Sequence, residues 1–282
     1  MLNKGEKKMT NRNSSRAAFI FLVTTSVLMV FPFYWTISSS LKLESGILAS
    51  PPQWWPNPIT FANYTKLFLH IPNFALYFLN SIIVTLTITL SQVFLSTLAG
   101  YAFAKLKFPG RDVIFFIMLL GMMIPLQVNL IPLYKIMDFF HWLDTYWALI
   151  VPNAVSIFNV FLMRQYMLSL PNDLFEAARI DGCPEFFIFF KIALPLSLAG
   201  TTTLIIFSVM NSWNSFLWPR IVTNTEALFV LPVGLSQIQM KSTINHGEIL
   251  AGTTLTALPL IILFMFMQKY FIEGMTAGAI KE

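Results

Sequence analysis

Six uncharged runs divide the chain: residues 17–41, 80–104, 113–134, 145–163, 192–219 and 249–268. An α-helix needs roughly 17–25 predominantly apolar residues to cross a bilayer core of ~30 Å, and each run reaches that length. The pattern predicts an all-α membrane protein with six transmembrane helices. Two shorter apolar stretches fall outside the count. At about 1.5 Å per residue, a helix over residues 227–240 covers only ~21 Å, so this stretch is expected to be an outer-surface or re-entrant segment. Residues 67–79 are interrupted by His70, Pro72 and Asn73 and are expected along the outer interface. The first run exceeds the apolar core of about 7–15 residues of a secretory signal. It continues through Ser38, Ser39 and Ser40 to Lys42, and is read as an uncleaved span.

Composition supports the same class. Only 11% of the 282 residues are charged and 56% are hydrophobic, against roughly 25% charged in soluble domains, and mean hydropathy is +0.68. The basic residues set an orientation. With the N-terminus inside, the inner segments hold Lys4, Lys7, Lys8, Arg12, Arg16, Lys105, Lys107, Arg111, Arg164, Arg179, Lys191, Lys269 and Lys281. The outer loops hold only Lys42, Lys66, Lys135, Arg220 and Lys241. By the positive-inside rule, both termini and the loop between the fourth and fifth runs face the cytoplasm. The net charge of +5 therefore belongs to topology. No basic cluster is interleaved with exposed aromatics in a soluble segment, so nucleic acid is not an expected partner; the lipid bilayer is. The single cysteine, Cys183, excludes an internal disulfide. The chain divides into a basic tail (1–16), a first span with its outer loop (17–79), a core of five spans (80–272) and a second tail (273–282). Pro51, Pro52, Pro56 and Pro58 beside Trp54 and Trp55 make the first outer loop a stiff segment at headgroup level.

One polar interruption stands out. Residues 170–195 read LPNDLFEAARIDGCPEFFIFFKIALP and carry four of the thirteen acids. Asp173 with Glu176 has the spacing of a capping box, and Gly182 stands where a helix C-terminus breaks, which predicts a two-turn helix over 173–181. Pro184 suits the first turn of a second helix through Phe186, Phe187, Phe189 and Phe190, re-entering the membrane near Ile192. Glu176 reads either as a docking group or as a capping carboxylate or partner of Arg179 one turn on.

Glu176, Ala177, Ala178, Gly182, Ile192, Leu194 and Pro195 stand at the spacings of the EAA loop, and the string resembles that loop of ABC importer permeases. The resemblance runs from about residue 31 to 281, through PFYWTISSSLK (32–42), NYTKLF (63–68), NSIIVT (80–85), YAFAKLKFPGRD (101–112), MMIPLQVNLIPLY (122–134) and QKYFIEGMTAGAIKE (268–282). It is similar to the second, six-helix subunit of the maltose-type carbohydrate branch. Cys183, where alanine is usual, and Gly200, where proline is common, depart from that pattern. The resemblance implies a type I ABC importer transmembrane domain in the prokaryotic inner membrane. It also implies a second homologous permease subunit, two ATP-binding subunits, an extracytoplasmic solute-binding protein and a sugar substrate. Glu176, Ala177, Ala178, Arg179, Asp181 and Gly182 would couple to the ATPase, and ATP and Mg would sit on that partner, with no cofactor on this chain.

The remaining chemistry agrees. No GxxxxGK[ST] loop is present, so the chain does not cradle ATP phosphates by that route. His70, His141 and His246 lie far apart without metal-ligand spacing. No acid lies in any span, which argues against a proton-coupled carrier. Uncharged polarity is plentiful: Ser208, Asn211, Ser212 and Ser215 at helical intervals beside Trp213, Asn214 and Trp218, with Gln127, Asn129, Asn153, Ser156 and Asn159 in the third and fourth spans. These residues either hydrogen-bond helices to one another or line a neutral, wettable passage for a polyhydroxyl solute. Pro125, Pro132, Pro152, Pro195, Pro219 and Pro259 would free backbone carbonyls facing it. A permease for another polar solute such as glycerol phosphate, an ATP-independent facilitator, and an intramembrane enzyme are the alternatives. The enzyme would have to use Asp173, Asp181 or Glu185, without a nucleophile, metal or phosphate nest.

Overall fold

The computed structural model describes residues 4–241 and 245–276, with side chains for 16–237 and 245–269. Most of the basic tail (Lys4 to Arg12) and the 273–282 string therefore lie outside the described side chains. All regular structure among the described residues is helical. The chain forms two compact units, residues 1–71 with 241–255, and 72–240 with 256–282.

In the first unit, α1 (Lys4–Ser40) carries the predicted first span in one helix, followed by α2 (Glu44–Ile47) and α3 (Ala62–His70). The apolar side chains of its membrane-length part, such as Phe19, Leu22 and Leu28, are exposed, as a helix facing lipid or another subunit requires. Polar residues hold this unit together. Lys42 is fully buried, donating to the Gln53 carbonyl at 2.5 Å with its ammonium 4.1 Å from the Trp35 ring centre. Asn63 Nδ2 donates to the carbonyls of Ser40 and Lys42. Glu44 accepts from the backbone N–H groups of His246 and Gly247, both at 3.1 Å, and bonds the His246 ring at 2.7 Å. It thus caps the last helix from a distance in sequence. Burial works against ionising Glu44, but the bonds from the His246 ring and those two N–H groups outweigh it and hold its carboxyl below the ordinary 4.5. A carboxyl depressed in the folded state stabilises fully above its unfolded value and loses that contribution as pH falls through the folded one. The thermal midpoint of the wild type should therefore drop more steeply than that of Glu44→Gln from about pH 5 to about pH 3. Parallel curves over that window would refute the capping role.

The second unit is built on α4 (Phe74–Lys105). Its 32 residues make about 48 Å of helix, ample to cross a bilayer. It begins at Phe74, directly after a break at 71–73, so the second half of the 67–79 stretch is the start of this long helix and not a separate surface segment: Phe74 and Tyr77 are buried. The third predicted span is two helices, α5 (Arg111–Gly121) and α6 (Leu126–Phe139), bent by 100°. Pro125, at ψ 143°, forbids a continuous helix there because it has no N–H and drives its predecessor out of the helical region. The fourth comprises α7 (Tyr146–Ile150), a tight turn at Val151–Asn153 carrying Pro152, and α8 (Ile157–Leu168), whose first turn is capped by the Ser156 hydroxyl. After the elbow helix α9 (Asn172–Ile180), the fifth is bent by 79°. It runs as α10 (Glu185–Ile188), a π-helical turn at Phe189–Ala193, α11 (Leu194–Leu196) and, past Ser197, α12 (Leu198–Trp213). Pro195 cannot donate to the carbonyl four residues back, and the wider turn takes up the mismatch just before it.

α13 (Leu217–Val222) and α14 (Leu231–Lys241) follow, then α15 (His246–Thr276), which opens in the first unit and ends in the second. The 227–240 stretch packs into the bundle rather than lying on its surface. Phe229, Val230, Leu231 and Val233 are buried, and Asn80 Nδ2 donates to the carbonyls of Ala227 and Phe229. Ser81 Oγ accepts the Leu231 N–H at 2.7 Å, so the freed backbone groups are met by side chains of α4. Among the described residues, four helices and two bent pairs are long and apolar enough to cross a membrane, one for each predicted run.

Candidate functional site

The elbow is built by local chain chemistry. The first residue before α9 is Pro171, whose side chain cannot cap, so the expected capping box does not form. Asp173 sits instead in the first turn, where the helix dipole favours an acid. The other end follows expectation. The N–H of Cys183 bonds the carbonyl of Ala178, and the N–H of Gly182 that of Arg179, both at 3.0 Å, with Gly182 at φ +77°. This is a glycine-terminated helix end in which a left-handed residue satisfies the last carbonyls. Pro184 stands one position earlier than expected, before α10 rather than in its first turn.

Two faces of α9 result. Phe175 and Ala178 are buried in a core with Tyr101, Met163, Met167, Ile188 and Phe189, the Phe175 ring 6.2 Å from that of Tyr101. Asp173, Glu176, Ala177 and Asp181 are exposed, and Ile180 is 85% exposed. Glu176 has no side-chain partner among the described residues. Arg179 turns away from it and donates through Nε to Glu185 Oε1 at 2.6 Å and through a terminal nitrogen to the Lys105 carbonyl at 3.1 Å. The hydrogen-bonded Glu185 carboxylate raises the Arg179 pKa further, making it a fixed cation. Glu185 also accepts the Tyr101 hydroxyl at 2.5 Å. At the start of α9, Lys105 Nζ donates to the Leu170 carbonyl at 2.8 Å and to Asn172 Oδ1 at 2.6 Å, 4.7 Å from the Phe175 ring centre.

Inside the bundle, α4, α8 and α12 share a polar seam. A cavity of about 70 Å³ is lined by Ser81, Thr85, Gln92, Asn153, Asn211, Ser212 and Ser215, with Val84, Ile88, Leu149, Pro219 and Val230 completing its wall. A space of that size takes a few waters. Its elbow side is closed by hydrogen bonds. Gln92 Nε2 donates to the Asn153 carbonyl at 2.7 Å, and Asn159 Nδ2 donates to Gln92 Oε1 at 2.8 Å and to Ser208 Oγ at 3.0 Å. Asn159 Oδ1 is buried without a protein partner.

Of the predicted passage residues, Asn153, Asn211, Ser212 and Ser215 are brought together in this cavity, and Ser208 lies beneath it. The others are not. Trp213 is buried against Phe78 and donates to the Thr256 carbonyl at 3.0 Å, which is interhelical glue. Asn214 ends α12 by donating to the Met210 carbonyl. Gln127 and Asn129 are exposed on α6. Trp218, buried, donates to the Ala148 carbonyl. Sequence reading missed Ser81, Thr85 and Gln92, although their successive intervals of four and seven residues along α4 are the same signal that marked α12. Among the described residues no group of three or more His, Cys, Asp or Glu side chains is placed to hold a metal.

A family model described as the inner membrane component of binding-protein-dependent transport systems matches residues 92–277. The chain is 40% identical over 267 residues to the arabinooligosaccharides transport system permease protein AraQ of Bacillus subtilis (strain 168), covering 94% of this chain and 95% of that one. It is 35% identical over 271 residues to the probable ABC transporter permease protein YurM of the same organism, covering 94% and 88%. It is 28% identical over 263 residues to the sn-glycerol-3-phosphate transport system permease protein UgpE of Yersinia pestis, covering 91% and 94%. Among solved structures, a bacterial ABC transporter involved in the import of the acidic polysaccharide alginate superposes with a TM-score of 0.82 at 22% identity, covering 96% and 99%. That likeness fixes the fold as that of a type I ABC importer permease.

Proposed function

Because this chain belongs to the family of inner membrane components of binding-protein-dependent transport systems, we propose that it is one permease half of an ATP-driven importer for a di- or oligosaccharide. The family is a transport family rather than an enzyme family, in which separate subunits hydrolyse ATP. In this reading a second, homologous permease completes the pathway, two ATPase subunits carry ATP and Mg on the cytoplasmic side, and a solute-binding protein delivers the sugar outside. The chain crosses the membrane six times with both termini and the elbow in the cytoplasm. The four long helices and two bent pairs support that count, and the distribution of lysine and arginine supports the orientation.

The observation that carries the sugar assignment is the full-length likeness to an arabino-oligosaccharide permease. The cavity supports it: amides and hydroxyls line it and no lysine or arginine does, whereas a phosphate cargo calls for charged donors. The exposed Glu176 face of α9 is read as the surface that meets the ATPase. Closure of the ATPase dimer would push the elbow as a rigid lever, and the Gln92–Asn159–Ser208 bonds would open on the cytoplasmic side of the cavity as the bundle re-aims.

The test is purification with the proteins encoded beside this chain, then ATP hydrolysis in proteoliposomes with candidate solutes. A neutral oligosaccharide should stimulate hydrolysis several-fold and sn-glycerol 3-phosphate should not. Recovery of no ATPase subunit would overturn the importer reading, and stimulation by the phosphate alone would overturn the sugar.

A further inference from the structure

The elbow is joined by the chain itself to α8 at one end and, through the π-helical turn, to α12 at the other. It has no covalent link to α4, yet α4 supplies Ser81, Thr85 and Gln92 to the cavity wall. Any displacement of the elbow must reach that wall through side chains. Apolar contacts such as Phe175 on Tyr101 are non-directional and let surfaces slide. Short charge-assisted hydrogen bonds are directional and strong.

We propose that Glu185 and Lys105 are positioning residues that gear the elbow to α4, so that a movement of α9 is delivered to the cavity wall. Glu185 is the hub at the far end of α9. It receives Arg179 Nε at 2.6 Å and the Tyr101 hydroxyl at 2.5 Å, while Arg179 also holds the Lys105 carbonyl in the last turn of α4. Lys105 closes the near end, its ammonium met by the Leu170 carbonyl and Asn172 Oδ1 rather than by a carboxylate. Both ends of a nine-residue helix are thus tied to one end of α4. Neither tie uses Glu176 or Asp181, so the exposed face stays free. The gearing rests on the importer reading above, and it adds residues which that reading does not need.

The experiment uses the full importer in proteoliposomes and reads sugar transported per ATP hydrolysed. Glu185→Gln and Lys105→Met should each keep the ATPase subunits bound and hydrolysis within about twofold of wild type, while transport per ATP falls about tenfold, the loss expected for one strong charged hydrogen bond. Tyr101→Phe, which removes only the hydroxyl that reaches Glu185, should lower the ratio as well, and its combination with Glu185→Gln should lose little more than either change alone, which independent effects on folding would not give. A ratio unchanged within about twofold in both Glu185→Gln and Lys105→Met overturns the proposal, as do additive losses from Tyr101→Phe and Glu185→Gln. If the wild-type assembly itself shows no sugar-stimulated hydrolysis, the importer reading is what has failed, and the gearing falls with it.

Discussion

Replacing Glu176 with arginine is expected to abolish coupled uptake, lowering it at least about a hundredfold, while the chain folds as before. Glu176 is exposed, touches no core residue and has no side-chain partner among the described residues, so its loss moves the thermal midpoint little; surface changes of this kind usually stay within about 0.5 kcal/mol. Its effect arises only where another surface meets it. Asp173, Ala177, Asp181 and Ile180 form the rest of that face, an acidic and apolar patch of the kind a basic-rimmed cleft accepts. Reversing one charge at such an interface costs several kcal/mol, and about 2.7 kcal/mol is already a hundredfold. Gly182→Pro should act with it for a different reason. Proline is fixed near φ −65°, whereas Gly182 sits at +77° and donates its N–H to Arg179, so the turn that aims α9 is lost. The readouts are ATPase co-purification, uptake and melting temperature for each variant. Uptake that survives both changes together would mean transport without a docked motor, as a facilitator would show.

What was legible in the chain, and what was not, follows the range of the interactions. The uncharged runs marked every membrane-length helix because burial in hydrocarbon acts on composition over twenty residues at once. Gly182 marked the end of α9 because a left-handed residue is a local requirement. The partner of Arg179 was not legible. The i+3 spacing pointed to Glu176, but the glycine turn swings Glu185 back beside it, and the hydroxyl of Tyr101 completes the site from α4. The same limit governs the seam. The face of Ser208, Asn211 and Ser212 was visible as a helical repeat, and Ser215 reaches the cavity although α12 has ended at Trp213. Gln127 and Asn129 are exposed on α6, beyond the 100° bend after α5, and do not line this cavity. Gln92 could have been found, since α4 repeats polar residues at Ser81, Thr85, Gln92 and Ser96, but its partners at 153 and 159 only meet it in three dimensions.

Gly100→Val is expected to damage folding severely. A Cβ at position 100 would lie 2.7 Å from Met163 Cβ, 2.9 Å from the Arg164 nitrogen and 3.0 Å from the Met163 carbonyl carbon. Two of those three atoms are backbone of α8, which cannot rotate aside, so α4 and α8 must separate. Ser96, Gly100 and Ala104 follow one another at four-residue intervals, the small-residue spacing that lets membrane helices approach closely. At Gly200 and Gly234 the nearest atoms belong to the rings of Tyr166 and Tyr77 and not to backbone. At Gly182 nothing lies within 4 Å, and Ala there costs only the roughly 1–2 kcal/mol of a left-handed backbone. Overpacking typically costs 1–3 kcal/mol and more where nothing yields, and valine adds two methyl groups to a site already closed to one. Gly100 also lies between the Gln92–Asn159 bond and the Tyr101–Glu185 bond, so parting the helices disturbs the cavity floor and the elbow together. Gly100→Ala should lower the melting temperature measurably, and Gly100→Val should leave little monodisperse protein in detergent. A valine variant that melts with the wild type would show that α4 and α8 do not meet at this glycine, and the close contact that positions both the seam and the elbow would have to be abandoned.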